Sequence, residues 1–291
     1  MNVYFETPTT WGRAIHRIER ELKKRAPEST TWVQDVNHAD FIIEQIIGPN
    51  EETDSRLNMN IPYAVLFYCG VRNGDVRGQM NRIFKNAVLT YSYTDLQGEG
   101  FEGNFILGPI GVDPAKFQCV NVGHRTFNTL TTGYMAESEG INSMVWANQQ
   151  VGQRLIHVGG NLKVDFPQGV GSVSGVTHVE NITDDELVAY YNDSRYVSGL
   201  RRDEGFELGV IEGLLCGARP ICFDQPHYRR WFDNLAVFVP EVERGQLTTE
   251  LVGVFRGEYK PVTQAERDYV CEFFGWDRVA RLFWDNLTNG G

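Results

Sequence analysis

Short, continuously apolar runs alternate with segments of helical periodicity along most of the 291-residue chain. The run I-P-Y-A-V-L-F-Y-C-G, in which residues 64–69 read as a strand, is typical of a strand that is buried on both faces. Closer to the N-terminus, apolar Ala14, Ile18 and Leu22 recur at the spacing of a helix face. Because strands that alternate with helices pair in parallel, this order predicts an α/β protein with parallel sheets.

The alternation occurs in two series, which predict two domains. The first series contains strands at 3–5, 41–47, 64–69 and 88–93 and helices at 12–25 and 78–87. The second contains strands at 126–131, 154–158, 176–179, 195–198 and 220–223 and helices at 141–151, 184–192 and 208–216. We expect two doubly wound, Rossmann-like domains, 1–118 and 119–275, that face a central cleft, with a terminal helix in 276–291 that crosses back to the first domain.

Apolar runs, cysteine content and net charge exclude several classes of protein. The longest apolar stretch has eleven residues and includes Pro62, which is too short for a bilayer span, and the N-terminus lacks the pattern of a secretory signal. The five cysteines include no C-x-x-C pair, so reduced thiols and a cytoplasmic location are expected. A formal net charge of −11 argues against a protein whose whole surface binds nucleic acid or anionic lipid.

The segment 195–224, R-Y-V-S-G-L-R-R-D-E-G-F-E-L-G-V-I-E-G-L-L-C-G-A-R-P-I-C-F-D, has the features expected of an anion-binding site. A strand ends, a charged loop follows, and a helix begins with its N–H groups and positive dipole end free for a diphosphate. Glu204 precedes this helix and Glu212 lies inside it, eight residues later. One carboxylate can therefore face a transferred group while the other accepts hydrogen bonds from ribose hydroxyls.

This Glu-x7-Glu segment resembles the donor motif E-G-F-G-L-P-x-x-E-A-M-A-C-G-x-P-V-V of the family-four retaining glycosyltransferases, which have the GT-B fold. Further segments resemble that family in the right order, so that the match covers roughly 105–287. They are G-P-I-G-V-D-P-A-K-F at 108–117, L-T-T-G-Y-M-A-E-S-E-G-I and R-L-I-H-V-G-G within 126–160, D-D-E-L at 184–187 and W-D-R-V-A-R-L-F at 276–283.

The resemblance implies an enzyme that transfers a sugar from a nucleotide-diphosphate sugar, with UDP or GDP, to an acceptor hydroxyl with retention of configuration. It implies that Glu204 contacts the donor sugar and that Glu212 binds the ribose. The residues implied to surround the diphosphate are Gly205, Phe206, Glu207, Leu208, Gly133, Gly12 and Arg13. No cofactor is expected, and since the chain has no Asp-x-Asp, chemistry without a metal is favoured.

The chain also departs from the family pattern. Where relatives carry an Arg and a Lys for the diphosphate, this chain has Tyr134 and Glu139, and Glu207 replaces the second glycine of the motif. Arg201 and Arg202, directly ahead of Glu204, are candidates to replace these cations, because a guanidinium binds phosphate in a bidentate manner. Arg202 is preferred as the catalytic cation; the alternative is that both arginines belong to a solvated surface cluster.

A basic stripe on the first predicted helix bears on the acceptor. Arg13, Arg17, Arg20 and Lys24 are spaced four, three and four residues apart, which places them along one side of the helix. Such a stripe suits a polyanionic acceptor, such as a phosphorylated glycan carrier, a membrane surface or DNA. A solvated helix face, partly neutralised by neighbouring glutamates, explains the same pattern.

Three functional hypotheses remain open at this point. The first is the nucleotide-sugar glycosyltransferase, in which the amides of the helix and Arg202 stabilise the departing diphosphate. The second is a transferase that has lost catalysis and still binds a nucleotide or glycan, which Tyr134 and Glu139 motivate. The third is a virus-type glycosyltransferase that acts on hydroxymethylated bases in DNA, supported by the basic stripe and the short first domain.

Overall fold

The computed structural model describes residues 1–7, 13–46, 59–68, 74–120, 123–133, 140–159, 175–202 and 206–289, with backbone only at 13, 14, 74, 75 and 289. The chain forms two compact units. The first comprises Met1–Gly111 and Phe274–Gly291, and Phe206 also belongs to it. The second comprises Val112–Arg202 and Glu207–Phe273.

The helices and strands follow the alternation of the sequence. The strands are β1 (Asn2–Glu6), β2 (Thr31–Val33), β3 (Phe41–Ile46), β4 (Tyr63–Phe67), β5 (Leu89–Ser92), β6 (Phe105–Leu107), β7 (Phe127–Thr132), β8 (Leu155–Val158), β9 (Val176–Val179), β10 (Ser194–Gly199), β11 (Arg219–Phe223) and β12 (Val237–Val239). The α-helices are α1 (Arg13–Lys24), α2 (Gly74–Asn86), α3 (Ile141–Gln150), α4 (Asp184–Asn192), α5 (Leu208–Leu215), α6 (Pro226–Phe232), α7 (Arg244–Arg256), α8 (Gln264–Phe274) and α9 (Trp276–Asn289). A single 3-10 turn covers Val36–His38 in the described part of the chain.

The first unit is built on a parallel sheet. Its described strands pair in the order β2-β1-β3-β4-β5-β6, and every pair is parallel. All residues of β4 are buried, as its continuously apolar sequence predicts. On one face of the sheet, Ile42, Val65 and Phe67 pack with Ile83 and Phe84 of α2 in a common apolar cluster. This burial of apolar surface is the main stabilising contribution in the unit.

Helix α9 packs within the first unit, next to α1. The indole Nε1 of Trp284 donates a hydrogen bond of 3.1 Å to the carbonyl of Leu22. The same indole lies edge-on to Trp32, with 6.2 Å between the ring centroids. At the start of α9, the ring of Trp276 lies so close to Gly111 that a Cβ there would clash with it. The last helix of the chain is therefore part of the core that begins at the N-terminus.

The second unit contains another parallel sheet. Its described strands pair in the order β12-β11-β10-β7-β8-β9. Helix α5 connects β10 to β11, and its apolar residues Val210, Ile211 and Leu214 are buried. Gly213 lets the helix approach the sheet, because a Cβ at this position would lie 2.6 Å from Cγ1 of Val197. The predicted α/β class with two doubly wound parallel sheets is confirmed.

Among the described residues, none of the helices has both the length and the apolar character that a bilayer span requires.

Candidate functional site at the carboxyl edge of the second sheet

Strands β7, β8 and β10 end at one edge of the second sheet, and glycines allow their ends to approach closely. Gly133 follows β7 with a φ of 100°, and Gly159 follows β8 with a φ of 155°. A Cβ on Gly159 would clash with the carbonyl oxygen of Gly133, so a side chain does not fit there. The backbone is thus closely packed at the carboxyl edge, which is where doubly wound sheets bind their ligands.

Helix α5 begins at this edge. Glu207 is its N-cap residue, with an extended backbone (φ −109°, ψ 104°), and its side chain does not cap the helix by a hydrogen bond. A Cβ on Gly209 would lie 3.3 Å from Oγ1 of Thr132 and 3.2 Å from the hydroxyl of Tyr191. The first turn of α5 therefore lies against the end of β7. The N–H of Val210 in this turn donates to the carbonyl of Glu207 at 3.2 Å. The N–H groups before it have no carbonyl four residues earlier in the helix, and the helix dipole makes this end favourable for an anion.

Arg201 connects the end of β7 to the start of α5. Its Nη2 donates a hydrogen bond of 3.1 Å to the carbonyl of Thr132, and its Nε lies 2.9 Å from Oε1 of Glu207. The backbone carbonyl of Arg201 accepts a hydrogen bond of 3.1 Å from the hydroxyl of Tyr228. The guanidinium is therefore held at the edge of the sheet, beside the N-terminus of α5.

Arg202, the neighbouring residue, extends in another direction. Its Nη1 donates to Glu241 at 2.8 Å, and its Nη2 donates to the carbonyl of Val242 at 2.9 Å. The guanidinium also lies over the ring of Phe223, 4.9 Å from the centroid. These contacts hold Arg202 against the segment that follows β12. We expected both arginines beside the helix, and the structure brings Arg201 there while Arg202 contacts Glu241.

Glu212 lies in the second turn of α5 and is only 3% exposed. The hydroxyl of Tyr191, on α4, donates a hydrogen bond of 3.2 Å to its Oε2. Burial, together with the charge of Glu212, raises the pKa of the Cys216 thiol above its usual value. The carboxylate expected to bind the ribose is therefore buried and oriented by a phenol, which the sequence did not predict.

Several predicted site residues lie outside the described part of the chain. These are Glu204, Gly205 and Gly12, together with the two positions of the missing cations, Tyr134 and Glu139. Arg13 begins α1, and its side chain is not described. Leu208 is the first residue of α5 and is partly buried.

Phe206 is buried in the first unit, although it directly precedes the N-cap of α5. Its ring lies 6.0 Å from the ring of Tyr93 and 5.8 Å from that of Phe274. Only 3% of the residue is exposed. The side chain of Phe206 thus packs as a core aromatic of the first unit.

The basic stripe on α1 is partly neutralised. Arg20 is exposed and lies 3.3 Å from a carboxylate oxygen of Glu21, and Lys24 is exposed. Arg25, which widens the stripe, pairs with both Glu21 and Asp277 at 2.6 Å. Arg17 is half-buried. These ion pairs reduce the positive potential of the helix face.

His157, on β8, is a buried residue that the sequence analysis did not place in the site. Its Nδ1 lies 2.8 Å from Oγ1 of Thr131, and its ring stacks on His178 with 5.5 Å between the centroids. Burial lowers the pKa of His157 to about 4, and the nearby charges of His178 and Arg201 act in the same direction. The imidazole is therefore neutral near pH 7. In the sequence, this residue is a histidine inside an otherwise apolar strand, in the run H-V-G-G, and that feature could have identified it as a buried polar group.

No protein-family profile matches the chain, and no curated protein matches it. Solved structures do match over its whole length. Sucrose-phosphate synthase from Thermosynechococcus elongatus has a TM-score of 0.75 and 15% sequence identity, over 99% of this chain and 98% of that protein. Anabaena HepE, solved in complex with UDP and glucose, has a TM-score of 0.71 and 12% identity, over 99% of both chains.

A third match is the pneumococcal O-GlcNAc transferase GtfA, solved in complex with UDP and GlcNAc. Its TM-score is 0.66 at 11% identity, over 96% of this chain and 60% of that protein. At these identities the matches define the fold. The chain has the GT-B fold, with two Rossmann-like domains, as the sequence resemblance implied.

Proposed function

We propose that the chain is a glycosyltransferase that transfers a sugar from a nucleoside-diphosphate sugar to an acceptor hydroxyl. The observation that carries this proposal is the position of the Arg201 guanidinium, which lies at the carboxyl edge of the second sheet beside the N-terminus of α5. A cation and uncapped helix amides together suit a diphosphate. The fold supports the same proposal, since HepE and GtfA, which share it, were solved with UDP and a sugar.

In this proposal UDP is the nucleotide of the donor. The ribose hydroxyls hydrogen-bond to Glu212, whose carboxylate is oriented by Tyr191 at 3.2 Å. The backbone amides of 205–208 bind the diphosphate, together with a guanidinium from Arg201 or Arg202. Gly133, Gly12 and Arg13 belong to the loops that border the phosphates, and Glu204 contacts the sugar. These roles follow from the resemblance to the family-four donor motif.

The proposed mechanism is electrostatic, proceeds with retention of configuration and needs no metal. As the bond between the sugar and the diphosphate breaks, negative charge develops on the leaving phosphate. Helix amides and a guanidinium placed in advance stabilise this charge without reorganisation, which lowers the barrier. The acceptor hydroxyl attacks from the face of the leaving group, and the leaving phosphate accepts its proton.

A second function is a protein that binds nucleotide-diphosphate sugars without transferring the sugar. The ion pair of Arg201 with Glu207 favours it, because a carboxylate already neutralises the guanidinium beside α5. This function predicts binding of UDP without release of UDP from any UDP-sugar. It shares the binding site with the first function and differs only in turnover.

Turnover of UDP-glucose distinguishes the two functions. We expect slow release of UDP and glucose in the absence of an acceptor, and the released anomer, followed by NMR, should retain the α configuration.

Glu212→Gln, which preserves the shape of the buried side chain, should weaken UDP binding about tenfold, whereas Glu250→Gln on the exposed side of α7 should leave it unchanged. Absence of both UDP binding and hydrolysis in the wild-type protein would contradict both functions.

A further inference from the structure

The ion pair between Arg201 and Glu207 lies where the proposed function needs a free cation. The Arg201 side chain is 22% exposed, so it reaches the surface at the sheet edge. Its Nη2 is fixed by the carbonyl of Thr132 at 3.1 Å, which holds the guanidinium across the end of β7. A cation in this position, next to helix amides, is suited to bind the oxygens of a diphosphate.

Glu207 is an unusual neighbour for such a cation. Its side chain is only 5% exposed, and it lies 2.9 Å from Nε of Arg201. Glu207 is the N-cap residue of α5, and its carboxylate does not cap the helix by a hydrogen bond. Its carboxylate is instead paired with the arginine. The site therefore contains an internal anion at the place where an external anion is expected to bind.

The neighbouring groups support the assignment of Arg201 over other positive side chains. Arg202 donates to Glu241 and to the carbonyl of Val242, so both of its Nη groups are engaged by residues that follow β12. His157 is fully buried, and its Nε2 has no hydrogen-bond partner among the described residues. It is neutral near pH 7, because burial and the charge of Arg201 keep its pKa at about 4.

We propose that Arg201 is the residue that binds the diphosphate of the donor, and that Glu207 competes with the diphosphate for this guanidinium. The proposal rests on the proposed function and adds a determinant of donor affinity to it. When the donor enters, Arg201 exchanges its partner from the carboxylate to a phosphate oxygen. When the diphosphate product leaves, the carboxylate takes the guanidinium back, which favours product release.

The competition predicts how the affinity for a diphosphate changes when the charge of Glu207 is removed. Glu207→Gln keeps the size of the side chain and removes a negative charge close to the diphosphate. It also loosens Arg201, but the carbonyl of Thr132 still holds the guanidinium. In the wild-type protein the diphosphate has to break the ion pair between Glu207 and Arg201, and at an internal site the free energy of this pair exceeds the cost of ordering one side chain. Removal of the carboxylate should therefore strengthen binding of a diphosphate.

The test is isothermal titration of UDP and of uridine into the wild-type protein and its variants. Glu207→Gln should bind UDP about tenfold more tightly, which corresponds to about 1.4 kcal/mol, and should bind uridine with unchanged affinity. Arg201→Gln should bind UDP about tenfold more weakly, again with unchanged affinity for uridine. In the double variant, the gain from Glu207→Gln should disappear, because the cation that it releases is absent.

Two matched substitutions serve as controls. Glu243→Gln changes an N-cap glutamate of α7 that also lacks a side-chain cap, and Arg229→Gln changes an exposed arginine paired with Asp224 and Asp233. Neither should change UDP affinity. Thermal unfolding of each variant reports whether it folds, and a general loss of structure would weaken binding of UDP and uridine equally.

The results separate this inference from the proposed function. If the wild-type protein binds UDP and Glu207→Gln binds it equally or more weakly, the competition is wrong and the proposed function stands. A loss of UDP binding in Arg202→Gln but not in Arg201→Gln overturns the assignment of the cation. If neither the wild-type protein nor Glu207→Gln binds UDP, both proposals are wrong.

Discussion

The hydroxyl of Tyr191 donates a hydrogen bond of 3.2 Å to the buried carboxylate of Glu212 and thereby orients the side chain proposed to bind the ribose. Because the two residues lie on different helices, α4 and α5, the contact also ties these helices together.

Substitution of Tyr191 by Phe should destabilise the protein and weaken nucleotide binding. A buried carboxylate that loses a donor is destabilised by about 1–3 kcal/mol, which should lower the midpoint of thermal unfolding by several degrees. Since the ribose is common to both ligands, UDP and uridine should lose affinity to the same extent. Tyr190→Phe, at the adjacent position of α4, is the control and should change neither property.

Helical glycines provide a test of the packing of α5. Gly213→Ala should destabilise the protein by about 1–3 kcal/mol, because the new Cβ would lie 2.6 Å from Val197. Gly253→Ala, in α7, introduces a Cβ with no atom of the described residues within 4 Å and should stabilise the protein by about 0.5–1 kcal/mol. Urea unfolding measures both changes. Equal effects of the two substitutions would contradict the close approach of α5 to its sheet.

The two substitutions differ only in this packing, since both replace a glycine inside a helix. The gain in helix propensity is therefore common to both, and it cancels when the free energies of unfolding are compared. The difference between the variants, about 1.5–4 kcal/mol, reports the contact with Val197.

Stability should depend on pH through His157. Its pKa is about 4 in the folded protein, below the value of about 6.5 expected in the unfolded chain. Between these values the unfolded state binds more protons, so the free energy of unfolding falls as the pH is lowered from about 6.5 to 4. The loss from this residue is at most about 3 kcal/mol.

Comparison with His157→Gln isolates this effect from other titrating groups. We expect the wild-type protein to lose stability more steeply than the variant between pH 6.5 and 4.5, as measured by urea unfolding at each pH. Parallel profiles for the two proteins would show that His157 is not held neutral by its surroundings.

Much of the fold was predictable from the apolar pattern. Strands that are long and buried on both faces, such as Tyr63–Phe67, have a continuous apolar sequence that identifies them. The strands Thr31–Val33, Phe105–Leu107 and Val237–Val239 were not predicted. Each has three residues and lies at the margin of its sheet, and a segment that short contains less than two periods of the alternation.

The candidate site was only partly predictable, because the direction of a side chain depends on the backbone where a strand ends. Arg201 and Arg202 are adjacent in the sequence and chemically identical, yet one contacts Thr132 and the other Glu241. The motif correctly indicated the helix N-terminus at the sheet edge. The burial of Glu212 and its phenol partner depends on packing between α4 and α5, which are separated in the sequence by a strand.

The proposed binding of UDP at the carboxyl edge of the second sheet can be measured by amide hydrogen exchange with and without saturating UDP. We predict that UDP slows exchange in peptides that cover the end of β7 at 130–133 and the start of α5 at 206–210. Peptides from α9, in the first unit, should serve as an internal reference with unchanged exchange. Unchanged exchange at both β7 and α5, or protection confined to other segments, would contradict the assignment of the site.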